Sequence, residues 1–441
     1  MVSDVIVPVT YPSKKCLFRL ALVGLLAAYL LFGCSTQKTL TLMPKPVIYQ
    51  DEAIDPFGHL TPVHKNTRTN IFYATNRAPI FSKNGMSYGN AMDSSIHVGE
   101  ATILMGGPDV DWDLLLEQSM AEPQLVPVPL TVEKISETAL INTDAIHSDY
   151  QLTPDQKKFF DAINIELDKA LVKEIMVYVH GTKVNFTNAA VLTAEIDHFA
   201  GRDFVGLAFA WPSHQNILFY LAGVDVRRAL NSSSVLSSLL VLLAENTSAK
   251  HINILSYSAG GKVASKALFD LRRAFPELNS DELQDRFRIA SVVFAAADVA
   301  IDVFFERLTA ISELANQIVV TVTDDDNALK AAEKFMGGNV RAGEEKAEVF
   351  EEAFIVKNKL SNVEIIDVSY GKKVRGFDIS GHHYWYRHPW MSSDIIFLMR
   401  TDLPPHRRGL SPTELEGIWY LSPDYPQNIK KAAKEELKGT W

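Results

Sequence analysis

Cysteine is almost missing from this chain: Cys16 and Cys34 are the only two in 441 residues. No disulfide framework can hold the fold, so stability has to come from a buried apolar core. Long apolar runs are missing too. The stretch Leu20–Phe32 is shorter than the ~20 residues that a membrane span requires. Basic blocks are absent and the formal net charge is -10, which argues against nucleic acid as a partner. There is no HExxH, and Gly337-Gly338 lacks the lysine and the spacing of a phosphate loop, so it reads as a turn. The histidines of the run His382-His383-Tyr-Trp-Tyr-Arg-His388 fit no standard zinc spacing. No metal and no organic cofactor is therefore expected. Internal repeats and low-complexity tracts are also lacking. What remains is an ordinary globular composition, 47% apolar and 22% charged, enough for one large domain or two modest ones.

The amino terminus has its own logic. Lys14, Lys15 and Arg19 precede the Leu20–Phe32 run, the order of a secretory signal. The run ends Leu31-Phe-Gly-Cys34-Ser-Thr, which resembles a bacterial lipobox with a bulky Phe32. That resemblance implies cleavage before Cys34 and lipidation of its thiol. Residues 1–33 are then a signal peptide and Cys34 a membrane anchor. Ser35, not an aspartate, follows it, which implies an outer-membrane location facing the periplasm. Residues 34–67 are polar and proline-bearing without a period and read as a tether.

From residue 68 onward, strand and helix signals alternate. Asn70–Arg77 and His97–Met105 read as strands, and 106–152 as an irregular insertion with a strand-like patch at Leu125–Leu130. Thr153 caps a helix with Pro154 in its first turn and Phe159, Phe160, Ile163, Leu167 and Leu171 on one face. Glu174–Val179, Phe204–Ala210, Ile252–Leu255, Arg288–Ala297, Gln317–Thr323 and Val363–Ser369 are short apolar runs, as expected of strands buried on both faces. Helices are predicted over 188–200, over 214–246 with a break near Asn231–Ser234, after Gly260, over 343–353 and over 389–400. This pattern predicts a mostly parallel sheet with helices on both faces, over 68–400, and a packed extension over 401–441. Sites in such sheets form beyond the carboxyl ends of the strands.

His180, Trp211, Ser258, Asp298 and Asp326 all stand at such ends. Ser258 lies in Ser256-Tyr-Ser-Ala-Gly260, between a strand and a helix, the context of a nucleophile elbow. The turn needs small neighbours two residues away. Gly260 supplies one, and Ser256 stands where glycine is usual. The chain order Ser258, Asp326, His382 is that of nucleophile, acid and base. The chemistry needs a hydroxyl beside an imidazole that accepts its proton, and a carboxylate that fixes the imidazole tautomer. The N–H groups of Ala259 and Thr182 are the expected oxyanion donors, with Gly181 allowing close backbone approach. His180 reads as a structural histidine and Trp211 as a pocket wall or core residue. Asp324 and Asp325 read as solvated turn residues or helix caps. Asp298 is the alternative acid and His383 the alternative base.

Several short motifs occur together: Tyr73-Ala-Thr-Asn-Arg77, Val179-His-Gly181, Trp211-Pro-Ser213, Ser256-Tyr-Ser-Ala-Gly260, Asp326-Asn-Ala-Leu329 and Gly381-His-x-Tyr384. The set resembles a poorly characterised bacterial family of α/β-hydrolase-fold proteins within the esterase/lipase superfamily. Tyr257 stands where that family commonly has histidine. The resemblance implies a serine hydrolase, puts Asp326 in the acid position and His382 in the base position, and fixes no substrate. The expected activity is hydrolysis of a small-molecule or lipid ester, with His180, Gly181 and Trp211 at the substrate pocket. The other readings are cleavage of an amide by the same triad, or a catalytically silent envelope lipoprotein that binds a partner. Asn216–Ala222 reads equally as a lid or a buried helix.

Overall fold

Alternation along one strand shows how this chain builds two cores from one sheet. Ile175, Val177 and Val179 belong to one apolar cluster, and Met176 and Tyr178 between them belong to another. Successive side chains of a strand point to opposite faces, so a strand covered on both sides must be apolar throughout. A computed structural model describes residues 40–52, 54–83, 85–142, 150–323, 326, 329–330, 333, 340–343, 360–369 and 383–437. The leader, Cys34, Asp324, Asp325, Gly337-Gly338, Gly381 and His382 lie outside the described residues, as does nearly all of the helix expected over 343–353.

The strands in chain order are Leu40–Thr41 (β1), Arg68–Ser82 (β2), Gly85–Met105 (β3), Pro129–Asn142 (β4), Glu174–Val179 (β5) and Val205–Phe209 (β6). His251–Tyr257 (β7), Ile289–Ala295 (β8), Ala315–Val322 (β9), Val363–Asp367 (β10), Ser411–Pro412 (β11) and Ile418–Tyr420 (β12) complete them. They form one sheet in the order β1-β4-β3-β2-β6-β5-β7-β8-β9-β10-β12-β11. From β2 through β12 each neighbouring pair is parallel, while β1, β4 and β3 add an antiparallel edge beyond β2. The expected fold class, α/β with a mostly parallel sheet, is the observed one.

Helices cover both faces. Pro154–Lys169, Val224–Asn246, Gly260–Ala274, Ser280–Phe287 and Ile301–Leu314 pack into the first cluster, and Phe186–Phe199, Pro389–Thr401 and Tyr425–Glu436 into the second. The Thr153 capping box forms as predicted, with Gln156 returning the bond. This helix ends at Lys169, and Leu171, expected on its apolar face, is exposed beyond it. The Asn231–Ser234 break does not form. Val224–Asn246 is continuous because its serines are satisfied locally: Ser232 exchanges bonds with Asn76, and Ser233 donates to the Leu230 carbonyl.

Three boundaries depart from expectation. The tether predicted over 34–67 is packed in part: Leu42, Met43, Val47, Ile48 and Tyr49 are buried, and Met43 N–H donates to buried Glu195. Polar spacing hid a short apolar anchor there. The insertion over 106–152 contains the helix Trp112–Met120 and all of β4. The 401–441 extension completes the sheet, since β12 pairs in parallel with β10. Among the described residues no helix is long and apolar enough to cross a membrane.

Candidate active site

The turn after β7 is built from backbone constraints. Ser258 adopts φ 52, in the left-handed region that costs a residue with a Cβ about 1–2 kcal/mol. Its neighbours hold it there. The Ser258 N–H donates to the Ala295 carbonyl, and its own carbonyl accepts from Gly261 and Asp298. Helix Gly260–Ala274 starts at once. A Cβ on Gly260 would lie 2.2 Å from the Val179 carbonyl oxygen, so only glycine fits. Position 256 is less demanding, because its side chain turns to β8. Ser256 Oγ donates to the Val293 carbonyl at 2.9 Å, which is why serine replaces the usual glycine without loss.

The loop after β5 closes against this turn. A Cβ on Gly181 would stand 3.1 Å from the Ser258 Cβ, so position 181 abuts the serine. Lys183 takes a positive φ of 62, turning the chain. Among the described residues no acceptor takes the N–H of Thr182 or Ala259. The loop carrying Thr182 and the turn carrying Ala259 thus meet at Ser258 and a helix amino terminus, where backbone donors can receive developing negative charge.

His180 and Trp211, expected at the substrate pocket, have no accessible surface and support this loop from within. Their rings stack 5.2 Å apart, and Trp211 Nε1 donates to the His180 carbonyl at 2.6 Å. His180 Nδ1 bonds the Gly181 carbonyl, and its Nε2 faces Arg77 at 3.4 Å. Burial first, and then Arg77, push the imidazole down to about 3, so it is neutral near pH 7. Arg77 is itself buried, and burial pulls its guanidinium down to about 9. It ties Ala210, Gly89 and Val184 together through their carbonyls.

The two candidate acids differ. Asp326 is fully buried, its Oδ1 accepting the Leu329 N–H at 3.0 Å in a helix-capping contact. The buried rings of Tyr257 and Tyr384 both feel its charge. Asp298 instead forms an ion pair with Lys262 at 2.9 Å and with Arg341 at 3.3 Å, accepts the Tyr220 hydroxyl, and takes Lys262 on its carbonyl as well. Burial drives its carboxyl up, but Lys262 and Arg341 outweigh that and hold it below the usual range.

His382, the expected base, lies outside the described residues. The residues after it reach the elbow: the His383 ring stands 6.1 Å from that of Tyr257, and the Tyr384 hydroxyl meets the Ala296 N–H and the Thr321 hydroxyl. His383 is thus half-buried against the rings of Tyr257 and Tyr386. The following aromatics Tyr384, Trp385 and Tyr386 are core. Asn216–Ala222 is not buried either. Its helix Ile217–Leu221 exposes Ile217, Leu218 and Phe219, while Tyr220 alone turns inward to Asp298.

A family described as "Alpha/beta hydrolase of unknown function (DUF900)" matches residues 155–397, more than half of the sequence. The chain belongs to this alpha/beta hydrolase family. That match runs from the helix Pro154–Lys169 into the helix Pro389–Thr401 and includes the parallel strands and loops that carry Ser258, Gly181, Thr182 and Asp326. No curated protein matches the sequence significantly. A solved structure described as a lipase-esterase related protein from Clostridium acetobutylicum ATCC 824 is similar at 11% identity, covering 53% of this chain and 96% of that one, with a TM-score of 0.25.

Two features of the hydrolase domain have no sequence motif. One is the charged knot around Asp298; Lys262, one turn into the helix after Ser258, was its only legible sign. The other is a cavity of about 590 Å³ lined by residues that include His59, Arg68, Asp197 and Arg202, none of them a predicted site residue.

Proposed function

We propose that this alpha/beta hydrolase is a serine esterase whose nucleophile is Ser258. The observation that carries this reading is the left-handed Ser258 set between β7 and the helix Gly260–Ala274. That strain has no packing purpose, since the side chain is one hydroxyl, and a strand–turn–helix of this kind is the setting that presents a nucleophile. In the proposed reaction Oγ attacks the ester carbonyl while His382 takes its proton. Asp326 fixes the imidazole tautomer and stabilises the imidazolium. The N–H groups of Ala259 and Thr182 receive the oxyanion. Collapse expels the alcohol with the proton from His382, and a water then repeats the sequence on the acyl-serine. No cofactor enters these steps.

The short helix Ile217–Leu221 supports an ester with an apolar acyl part. Its three exposed apolar side chains are tied to the elbow through Tyr220, Asp298 and the Ser258 carbonyl. The leader sequence supports a lipid anchor at Cys34 on the periplasmic side of the outer membrane. A Cys34→Ala chain that still matures to the wild-type size and stays on membranes removes the anchor from this proposal.

A fluorophosphonate probe tests the nucleophile. Wild type should label and hydrolyse short-chain esters, and Ser258→Ala should do neither. The alanine takes the same backbone conformation at similar cost, so its stability should change by less than about 1 kcal/mol. Equal ester turnover in the two proteins rules out Ser258 as the nucleophile, and no labelling or turnover in wild type leaves a binding protein.

A further inference from the structure

The other end of the parallel sheet holds a cluster that this chemistry does not use. Glu174 opens β5 and His251 opens β7, and the register sets the two side by side. Asp402, in the left-handed conformation at φ 50, ends the helix Pro389–Thr401 and brings its carboxylate to the same place. His251 Nδ1 lies 3.2 Å from Glu174 Oε1 and 3.4 Å from Asp402 Oδ2. No two of the three donor atoms are more than 4.8 Å apart.

The remaining carboxylate oxygens are already held. Asn253 Nδ2 donates to Glu174 Oε2 at 2.8 Å, and Ser291 Oγ donates to Asp402 Oδ1 at 3.1 Å. This leaves Oε1, Oδ2 and Nδ1 converging on one point, with the outer bonds fixing their directions as around a bound metal. Without an ion, His251 Nδ1 and Glu174 Oε1 share a hydrogen bond at 3.2 Å. Ligand atoms about 2.1 Å from a tetrahedral zinc are ~3.4 Å apart, close to the two separations from Nδ1, and the two carboxylate oxygens, no more than 4.8 Å apart, would close onto the ion. His251 and Asp402 keep 23% and 28% of their side chains exposed, so water has access to a fourth position.

We propose that Glu174, His251 and Asp402 bind a divalent transition-metal ion of the zinc type, with water completing the tetrahedron. The nitrogen ligand selects against magnesium and calcium, which take oxygen. The site stands a whole strand away from Ser258, because β7 begins at His251 and Ser258 follows its last residue. Its role is a clamp: it ties the last turn of the helix Pro389–Thr401 to β5 and β7, residues far apart in sequence. Spacing this wide is why no motif announces it.

The test uses the full-length chain, stripped with chelator and titrated with Zn²⁺ or, as control, Mg²⁺. One Zn²⁺ per chain should bind saturably and raise the unfolding midpoint by a few degrees, with Mg²⁺ inert. Co²⁺ should give the strong visible bands of a tetrahedral site. His251→Ala should weaken Zn²⁺ binding at least tenfold and abolish those bands. Asp402→Asn keeps the shape and the Ser291 contact, and should weaken binding while staying folded. Ser258→Ala should bind zinc as wild type does, which keeps this result independent of the esterase reading. Absence of saturable Zn²⁺ binding to wild type shows an ion pair only and overturns the proposal, as does wild-type affinity in both His251→Ala and Asp402→Asn.

Discussion

Asp298 and Asp326 follow neighbouring strands at the same end of the sheet, and both are buried, yet their surroundings are opposite. Asp298 meets Lys262, Arg341 and Tyr220. Asp326 receives a backbone N–H and stands near the tyrosines 257 and 384. The difference bears on function through charge. A carboxylate already compensated by two cations has little field left for an imidazolium forming nearby. A carboxylate whose described contacts are neutral groups keeps that capacity. Sequence position alone made both candidates for the acid; the counter-ions divide them. Asp298 instead serves the elbow mechanically, since its N–H holds the Ser258 carbonyl and its carboxylate anchors the first turn of the next helix through Lys262.

Reciprocal asparagine variants break or sharpen this contrast. Asp326→Asn should lower ester turnover by about 10⁴-fold, the size expected when an acid no longer fixes the imidazole tautomer. Stability should hardly move, because asparagine can still cap the Leu329 N–H. Asp298→Asn should do the reverse. It strands buried Lys262 beside an uncharged amide and should destabilise by about 3 kcal/mol in urea unfolding, while the folded fraction keeps most of its turnover. Turnover lost in a well-folded Asp298→Asn and retained in Asp326→Asn would move the acid one strand earlier.

Much of the fold was legible because burial on both faces writes itself as unbroken apolar runs. Glu174–Val179 and Val205–Phe209 appear in the structure within a residue of their expected ends. The elbow was legible for another reason: glycine at 260 marks a place where backbone meets backbone. What escaped notice depends on long-range pairing. β4 alternates half-exposed residues at the antiparallel edge and reads as irregular until β3 is beside it. β12 is three residues long and gains its identity only by pairing with β10. Leu42 to Tyr49 looked like a linker because its apolar residues have no period; their partners lie hundreds of residues away, such as Ser393 for the Ile48 N–H. In the candidate site, the placement of Ser258, Gly181 and Asp326 after their strands was readable from type and order. The charge balance that separates Asp326 from Asp298 was not, since Arg341 comes from a distant loop.

The smallest effect extends the same contrast to a histidine. His180 is buried beside a guanidinium and has no carboxylate partner among its described contacts, so it resists protonation rather than being compensated. Its folded value is about 3, against about 6.5 for an unfolded histidine. The folded value is the lower one, so between these limits the unfolded chain binds the extra proton. The stability tied to a neutral His180 is therefore complete above about pH 6.5 and is lost as pH falls toward 3, with a slope of at most ~1.4 kcal/mol per pH unit. His180→Asn keeps a donor near the Gly181 carbonyl and removes the titration. It should be less stable than wild type at pH 7, through the lost stacking on Trp211. Between pH 6.5 and 4 its unfolding free energy should fall less steeply, so the two curves converge. Other buried histidines, such as His198, titrate in both proteins and cancel in the difference. Parallel curves over that range would mean that His180 takes up a proton in the folded state as readily as in the unfolded one, and that burial beside Arg77 does not keep it neutral.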